Sequence, residues 1–333
     1  LALAQQLAGR LRPPRVLLLT CDAQASATDA SHAASDAAYG GVWGFARVLR
    51  LEQNGLRVLC ADAGRGAGVA ATARQLLASS ASADEEAERA SRPESCTARL
   101  RKLAASSSSR ASHSGTYAIT GGLGGLGLRA AALLVARGAV SVLPASRGGR
   151  VARDDQGLGT NLEGLGTAVE VAICDSSDLC DVLSLAGIGQ PLSGVLHAAG
   201  AGDKGLLAEL IPHRMLWMYA PKAFGAWYLH CAASIVPLET HVLYASVGSG
   251  LGNVGQGNYA AGNASLDALA LSHRSHGVVA CSMQWPLVGG AGMGAAAFAS
   301  IAELQITITG MAGISLEQYA TCLAQNLSAG GRG

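Results

Sequence analysis

Hydrophobic and polar positions along this chain fall into short apolar runs separated by stretches of helical spacing, the alternation expected of strands followed by helices. Arg15–Thr20, Arg-Val-Leu-Leu-Leu-Thr, predicts a buried strand. Residues 38–52 carry Val42, Trp43, Phe45, Ala46, Val48 and Leu49, interrupted by Arg47 and Arg50, and predict an amphipathic helix. Arg57–Ala63 predicts a second strand. Periodicity then stops: residues 79–114 are Ser/Ala-rich, acidic and then basic, with no apolar face to bury, and predict a linker. The residues before it show no phosphate loop and no cluster of titratable groups, so their expected role is structural.

After that stretch the pattern sharpens. Tyr117–Thr120 predicts a short apolar strand, Gly121-Gly122-Leu123-Gly124-Gly125-Leu126-Gly127 a turn, and Leu128–Arg137 an apolar helix closed by Gly138. Glycines in that order let backbone approach a pyrophosphate, which the helix amino terminus then holds with free N–H groups and a positive dipole end. Thr120, at the strand end, joins the candidate cofactor residues. Glycine-rich turns also occur where helices pack tightly on strands, so the wider context carries the reading. Val140–Ala145 predicts the next strand, with Pro144 an awkward occupant that costs one ladder hydrogen bond. Ser146 and Arg147 come next, Arg147 standing twenty residues beyond Gly127 (147 − 127). An acid near that place suits a ribose hydroxyl, whereas arginine suits a ribose carrying a 2′-phosphate, so NADPH is expected over NADH. Val169–Cys174 predicts a strand ending at Asp175, placed to cap the next turn and lie beside an adenine. Gly194–His197 runs into Ala198, Ala199 and Gly200, small residues that leave room for a nicotinamide ribose. Together these predict an α/β fold built on a doubly wound parallel sheet, with its ligand at the carboxyl ends of the strands.

His241–Ser246 predicts a strand that delivers Ser246 to the same edge, followed by a glycine-rich loop, Gly248–Gly257. Asn258–His273 predicts a helix with Tyr259 in its first turn and Asn263 four residues on (263 − 259), on the same face. Tyr259 stands thirteen residues after Ser246 (259 − 246), and Lys222 precedes both. A tyrosine has a pKa of about 10 and exchanges protons sluggishly at neutral pH unless a nearby ammonium favours its phenolate. A proton donor, a serine to hold the oxygen that receives the proton and a lysine to tune the donor are what carbonyl reduction by hydride transfer needs.

Composition narrows the classes. The chain has 333 residues, 50% of them hydrophobic and 14% charged, with a net charge of +1. The balance of signs gives no basic field for nucleic acid, and no run of 18 apolar residues predicts a membrane span. Eight cysteines lie scattered without paired CxxC spacing, so no metal is expected and free thiols of a reducing, cytoplasmic compartment are, an organelle remaining open. The chain starts at Leu1 rather than Met and reads as a piece of a longer polypeptide.

These residues resemble the ketoreductase domain of modular polyketide synthases and of related animal-type fatty acid synthases, within the short-chain dehydrogenase/reductase superfamily. In most short-chain dehydrogenases the lysine follows the tyrosine by four residues; here Asn263 occupies that place and the lysine comes earlier, in Ala-Pro-Lys222-Ala-Phe-Gly-Ala, which is the arrangement the synthase domains resemble. Further similar runs are Tyr-Ala-Ile-Thr-Gly-Gly-Leu-Gly-Gly-Leu-Gly at 117–127, Ala-Ser-Arg-Gly at 145–148, Leu-His-Ala-Ala-Gly at 196–200 and Gly-Gln-Gly-Asn-Tyr-Ala-Ala-Gly-Asn-Ala at 255–264. Gln284-Trp285-Pro286, with Met293, is similar to the segment leading into the family's lid, and Val-Trp-Gly-Phe-Ala-Arg at 42–47 to its catalytically silent subdomain.

The resemblance implies a truncated Rossmann-like structural subdomain over 1–110 and a catalytic NADPH-binding domain over 115–333. It implies a β-ketoacyl thioester on the phosphopantetheine arm of an acyl carrier protein as substrate, neighbouring synthase domains as partners, and Lys222, Ser246, Tyr259 and Asn263 as the catalytic set. The positions commonly associated with product configuration read Gly202-Asp203-Lys204 and Leu251 in place of the family's Leu-Asp-Asp or Trp, so the configuration of the hydroxyl stays open. Pro286 stands where a glycine is usual. Two other readings stay open: a reduction-silent module of a synthase, and a free-standing reductase of small ketones or sugars.

Overall fold

The computed structural model describes residues 1–10, 12–21, 23, 39–63, 70–71, 73–74, 86–89, 95–96, 113–152, 156–189, 191–233, 238–303 and 313–328. The chain divides into two compact units that are not contiguous in sequence. The first comprises Leu1–Ala104, Asp203–Tyr219 and Gly248–Val278; the second comprises Ala105–Gly202, Ala220–Val247 and Val279–Gly333. The break at 104/105 falls within the stretch expected as a linker, but a division at 110–115 in chain order misses the two later segments that join the first third.

In the first unit, β1 (Val16–Cys21) and β2 (Val58–Ala63) pair in parallel. β3 (Glu86–Arg89) adds in parallel to β2, and β4 (Ser95–Cys96) lies antiparallel to β3. These last two strands lie inside the expected linker. Backbone pairing needs no apolar alternation, which is why the sequence pattern missed them; the rest of 79–112 lies outside the described residues. The Gly40–Glu52 helix forms where the amphipathic pattern predicts one. Its Trp43, Ala46, Val48 and Leu49 pack with Leu56, Val58 and Cys60, and with Leu207, Leu210 and Ala260 from the two later segments. Gly40, Gly41 and Gly44 face the Gly257–Ser275 helix so closely that a Cβ on Gly44 would stand 2.2 Å from the carbonyl oxygen of Ala260.

The second unit is a six-stranded parallel sheet flanked by helices. Its strands are β5 (Thr116–Thr120), β6 (Ser141–Ser146), β7 (Ala172–Ile173), β8 (Leu192–His197), β9 (Thr240–Ser246) and β10 (Cys281–Trp285), in spatial order β10-β9-β8-β5-β6-β7. Taken from β7, this is the doubly wound order, and the chain reverses direction of growth between β5 and β8. Both faces are buried, so the strands read as continuous apolar runs. Tyr117, Ile119 and Val142 pack with Leu134 and with Tyr319 and Leu323 of the Leu316–Ser328 helix. Ala118, Leu143 and Ala145 pack on the other side with Val182, Leu185, Leu229 and Ala232.

Pro144 fits inside β6 for a local reason. The carbonyls of Val142 and Ser146 accept from the N–H groups of Glu170 and Cys174, so the even-numbered positions turn their backbone polar groups towards β7. The donor that proline lacks therefore falls on the edge ladder, which β7 fills with two residues rather than the expected run from Val169 to Cys174. Among the described residues no helix is long and apolar enough to cross a membrane, and Cys21, Cys60, Cys174, Cys180, Cys231, Cys281 and Cys322 carry thiols rather than disulfides.

Candidate active site

In the second unit the candidate residues gather at the carboxyl ends of β5, β6, β8 and β9. β5 runs out at Thr120 into Gly121, whose φ of +66° favours glycine. Gly122 N–H donates to the carbonyls of Ile119 (3.1 Å) and Ala145 (3.0 Å), and Gly124 N–H to Gly121 (3.1 Å), folding the turn back on the strand ends. A Cβ on Gly122 would stand 2.5 Å from the Ile119 carbonyl oxygen, and one on Gly125 2.4 Å from the Gly292 nitrogen. The turn can be built from glycine alone at these places. The helix that comes next, Gly125–Ala136, has Gly124 at its N-cap and no side-chain cap. Its first N–H groups have no partner within the helix. An uncapped helix start behind a glycine turn at the switch point fits the pyrophosphate of a dinucleotide. Leu123 is fully buried with Leu128, Leu158 and Ala291, so of the seven turn residues it offers a ligand backbone alone.

Ser146 ends β6, its hydroxyl donating to the carbonyl of Arg150 (3.3 Å), and Arg147 beside it is exposed. Asp175 makes a local turn, accepting from Ser177 N–H (2.9 Å); Asp178 is the residue that caps the next helix, Leu179–Ala186, with Cys180 and Asp181 N–H donating to it. Ala198 N–H donates to the Thr120 carbonyl (3.0 Å), which ties the start of Ala198-Ala199-Gly200 to the glycine turn.

Lys222 sits in a π-helical turn, Ala220–Phe224, and the Gly225–Ala233 helix continues from it. Such turns carry one extra residue and push a side chain out of helical register. Lys222 is 4% exposed, and its Nζ donates to the carbonyl of Tyr244 (2.9 Å), two residues before Ser246 on β9. A Cβ on Gly200 would stand 2.9 Å from Lys222 Cε, so the glycine after β8 makes room for the lysine stem. Ser246 closes β9 opposite Trp285 of β10.

One residue at this edge was not among the sequence candidates. His197 is fully buried at the end of β8, with Nδ1 2.7 Å from Thr120 Oγ1 and Nε2 3.0 Å from the carbonyl oxygen of Lys222. A carbonyl can only accept, so Nε2 carries the proton and Nδ1 accepts from the threonine hydroxyl. Burial, and secondarily the Lys222 charge, push its pKa down to about 4, so the ring is neutral. With Ser176 Oγ donating to the carbonyl of Pro221 (3.2 Å), it satisfies backbone oxygens around the π turn. Its signal was the histidine inside Leu-His-Ala-Ala-Gly, which carries polarity into an otherwise apolar strand.

Tyr259 and Asn263 belong to the first unit. The helix that holds them runs Gly257–Ser275, longer than expected, and the residues expected as a glycine-rich loop begin with a short helix, Val247–Leu251. Glycine lowers helix propensity, but one turn followed by Gly252 at φ +72° is within its reach. Tyr259 N–H donates to Asn258 Oδ1 (2.9 Å). Asn263 Nδ2 donates to the Tyr259 carbonyl (2.8 Å), in keeping with their shared face, and Asn263 is fully buried. Its Oδ1 has no hydrogen-bond partner, an acceptor left for a bound water or a polar ligand atom.

A sequence profile described as the KR domain matches residues 115–290, more than half of the 333-residue chain. This chain is a KR domain, of the ketoreductase family found in polyketide synthases. The KR domain is 38% identical over 209 residues to the spectinabilin polyketide synthase system protein NorB of Streptomyces orinoci, an alignment that covers 61% of this chain and 10% of that protein. It therefore spans a small part of that curated relative. A solved structure described as that of A-type ketoreductases from a modular polyketide synthase superposes with a TM-score of 0.85 at 29% identity, covering 98% of this chain and 70% of the other. The first ketoreductase of the tylosin synthase superposes with a TM-score of 0.80 at 31% identity, covering 99% and 71%.

Proposed function

We propose that this KR domain reduces a β-ketoacyl thioester, carried on the phosphopantetheine arm of an acyl carrier protein, to the β-hydroxyacyl thioester, with NADPH as reductant and neighbouring synthase domains as partners. The observation that carries this reading is the buried Lys222, whose ammonium is held on the Tyr244 carbonyl beside Ser246 at the edge that presents the glycine turn. Burying a lysine costs free energy unless it is bonded, and a solvated surface role does not require it.

Bound, the nicotinamide supplies the hydride to the β-carbon. The chain's own residues supply the rest. The uncapped start of the Gly125–Ala136 helix and its glycine turn hold the pyrophosphate. Arg147, with Ser146, favours a 2′-phosphorylated ribose, and Asp175 lies towards the adenine end. Ala198, Ala199 and Gly200 leave room at the nicotinamide ribose. Ser246 donates to the substrate's carbonyl oxygen, and Tyr259 protonates that oxygen as charge develops on it. Lys222 and Asn263 support the tyrosine's proton exchange, Asn263 through its open Oδ1.

The test is the purified chain with a short β-ketoacyl thioester, following nicotinamide absorbance with NADPH and with NADH. NADPH-dependent loss of absorbance is expected, faster than with NADH. Tyr259→Phe should lower kcat by about 10²- to 10⁴-fold. An unchanged rate in that variant overturns the mechanism.

A further inference from the structure

The helix Gly40–Glu52 belongs to the part of the chain whose sequence pattern suggests only a structural role, yet two of its side chains grip the backbone that leads into Tyr259. We propose that Glu52, with Arg47 beside it, is a positioning residue for Tyr259; this rests on the reductase reading. The two carboxylate oxygens of Glu52 accept from backbone groups far apart in sequence: Oε1 from Gly255 N–H at 2.8 Å and Oε2 from Leu207 N–H at 2.6 Å. Gly205 N–H donates to the Gly255 carbonyl at 2.9 Å, so the segments around 205 and 255 are joined to each other as well as to the carboxylate.

Five residues earlier (52 − 47), Arg47 Nη1 donates to the Ser249 carbonyl at 2.5 Å. Between those two anchors lies Gly252, at φ +72°, where a Cβ would stand 2.9 Å from Leu51 Cδ1 and 3.4 Å from the Arg47 backbone. The whole run from Ser249 to Gly255 is thus laid along the last turns of one helix. Two residues after Gly255 the Gly257–Ser275 helix begins, and Tyr259 is its third residue. A second tie secures its start: Asn258 accepts from Tyr259 N–H and donates to Asp203 Oδ2 at 2.8 Å.

An ionised acceptor makes stronger bonds to N–H groups than a neutral one does, and a carboxylate serves two donors at once. Glu52→Gln keeps the size of the side chain but removes the charge and one of the two acceptors, setting an NH₂ against a backbone N–H. A displacement of the loop by about 1 Å is enough to misplace a reacting group about 10²-fold in rate.

Hydrogen exchange and kinetics on the same preparations test this. In Glu52→Gln, exchange in peptides covering 203–210 and 248–257 should quicken about 10-fold or more, while β5 (Thr116–Thr120) keeps its protection. Turnover of the β-ketoacyl thioester should fall about 10- to 100-fold in kcat, with NADPH affinity within about twofold of the unmutated chain. Arg47→Met should show the same pattern more weakly, and it carries the test if the first variant does not fold. Unchanged exchange in both loops overturns the proposal, and so does acceleration spread equally through β5, the mark of a general loss of stability. Quickened loops with unchanged kcat overturn it too. If the unmutated chain turns over no thioester, the reductase reading is what fails, and loop exchange alone then decides whether Glu52 anchors the backbone.

Discussion

The two parallel sheets share one device and put it to opposite uses. In each, a threonine near a strand's carboxyl end bonds a titratable side chain on the neighbouring strand. In the first unit Thr20 on β1 donates to Asp62 Oδ1 on β2 (2.6 Å), and the Trp43 indole N–H donates to the same hydroxyl (3.1 Å). Ala23 N–H also donates to Asp62 Oδ1 (3.0 Å), so bulky indole and local backbone close the strand ends over. In the second unit Thr120 on β5 meets His197 on β8, and the threonine leads directly into a glycine turn and an uncapped helix. The two units therefore differ in the segment after the strand, not in the polar pair. Glycines divide the same way: Gly40, Gly41 and Gly44 bring two helices into backbone contact, whereas Gly121 and Gly122 fold a turn against strand ends. Glycine content by itself therefore says little about phosphate binding; its place after a strand says more.

Four measurements put this contrast at risk. The largest effect is expected at Gly44→Ala, where the new methyl would meet the Ala260 carbonyl oxygen at 2.2 Å. Overpacking of this kind costs about 3 kcal/mol, read by chemical denaturation; a neutral result would mean that the glycine face of the Gly40–Glu52 helix does not set the helix spacing.

Next comes acid. His197 is held neutral with its pKa down at about 4, against 6.5 when exposed. The unfolded chain therefore binds the extra proton first, so the contribution is whole above pH 6.5 and is lost as pH falls towards 4. The loss amounts to on the order of 3 kcal/mol, and His197→Gln should flatten that limb of the stability profile. A wild-type profile that is flat between about pH 7 and pH 4.5 would contradict the buried Thr120–His197 pair.

A smaller change is expected at Arg147→Ala, which should weaken NADPH binding about tenfold and leave NADH alone, the scale of one charged hydrogen bond. Equal weakening for both nucleotides would remove the 2′-phosphate role. The smallest effect on stability is expected at Gly124→Ala. Its φ of −89° suits alanine and the nearest atom to a Cβ is 3.3 Å away, so folding should change by less than about 0.5 kcal/mol. NADPH affinity should nevertheless fall several-fold, because the methyl stands where the turn faces its ligand. Loss of stability without loss of affinity would make this turn a packing feature like Gly44.

Much of the second unit was legible because its signals are local. The order of strand, glycine turn and helix lies in consecutive residues, as does the Tyr259–Asn263 spacing. What escaped was contact between distant segments. Nothing near Glu52 announces that its partners are the N–H groups of Leu207 and Gly255, since backbone donors leave no mark on side-chain pattern. His197 is a polar exception in an apolar strand, and only the fold brings its two partners, residues 120 and 222, to either side of the ring. The π turn at Ala220–Phe224 is equally silent, because one extra residue in a helix changes register without changing composition. Glycines misled at Val247–Leu251, where propensity favoured a loop and tertiary context held a turn of helix.

The patchwork origin of the first unit also bears on how the chain acquires its structure during synthesis. Leu207, Leu210 and Ala260 complete the apolar cluster around Trp43, so that cluster waits until the ribosome has passed residue 260. At about 5–20 residues per second, the opening stretch of chain that holds β1 and β2 remains without those partners for about ten to forty seconds after it emerges. The strand β1, apolar along its length, is exposed to wrong partners throughout that interval, and chaperone binding is expected to concentrate there.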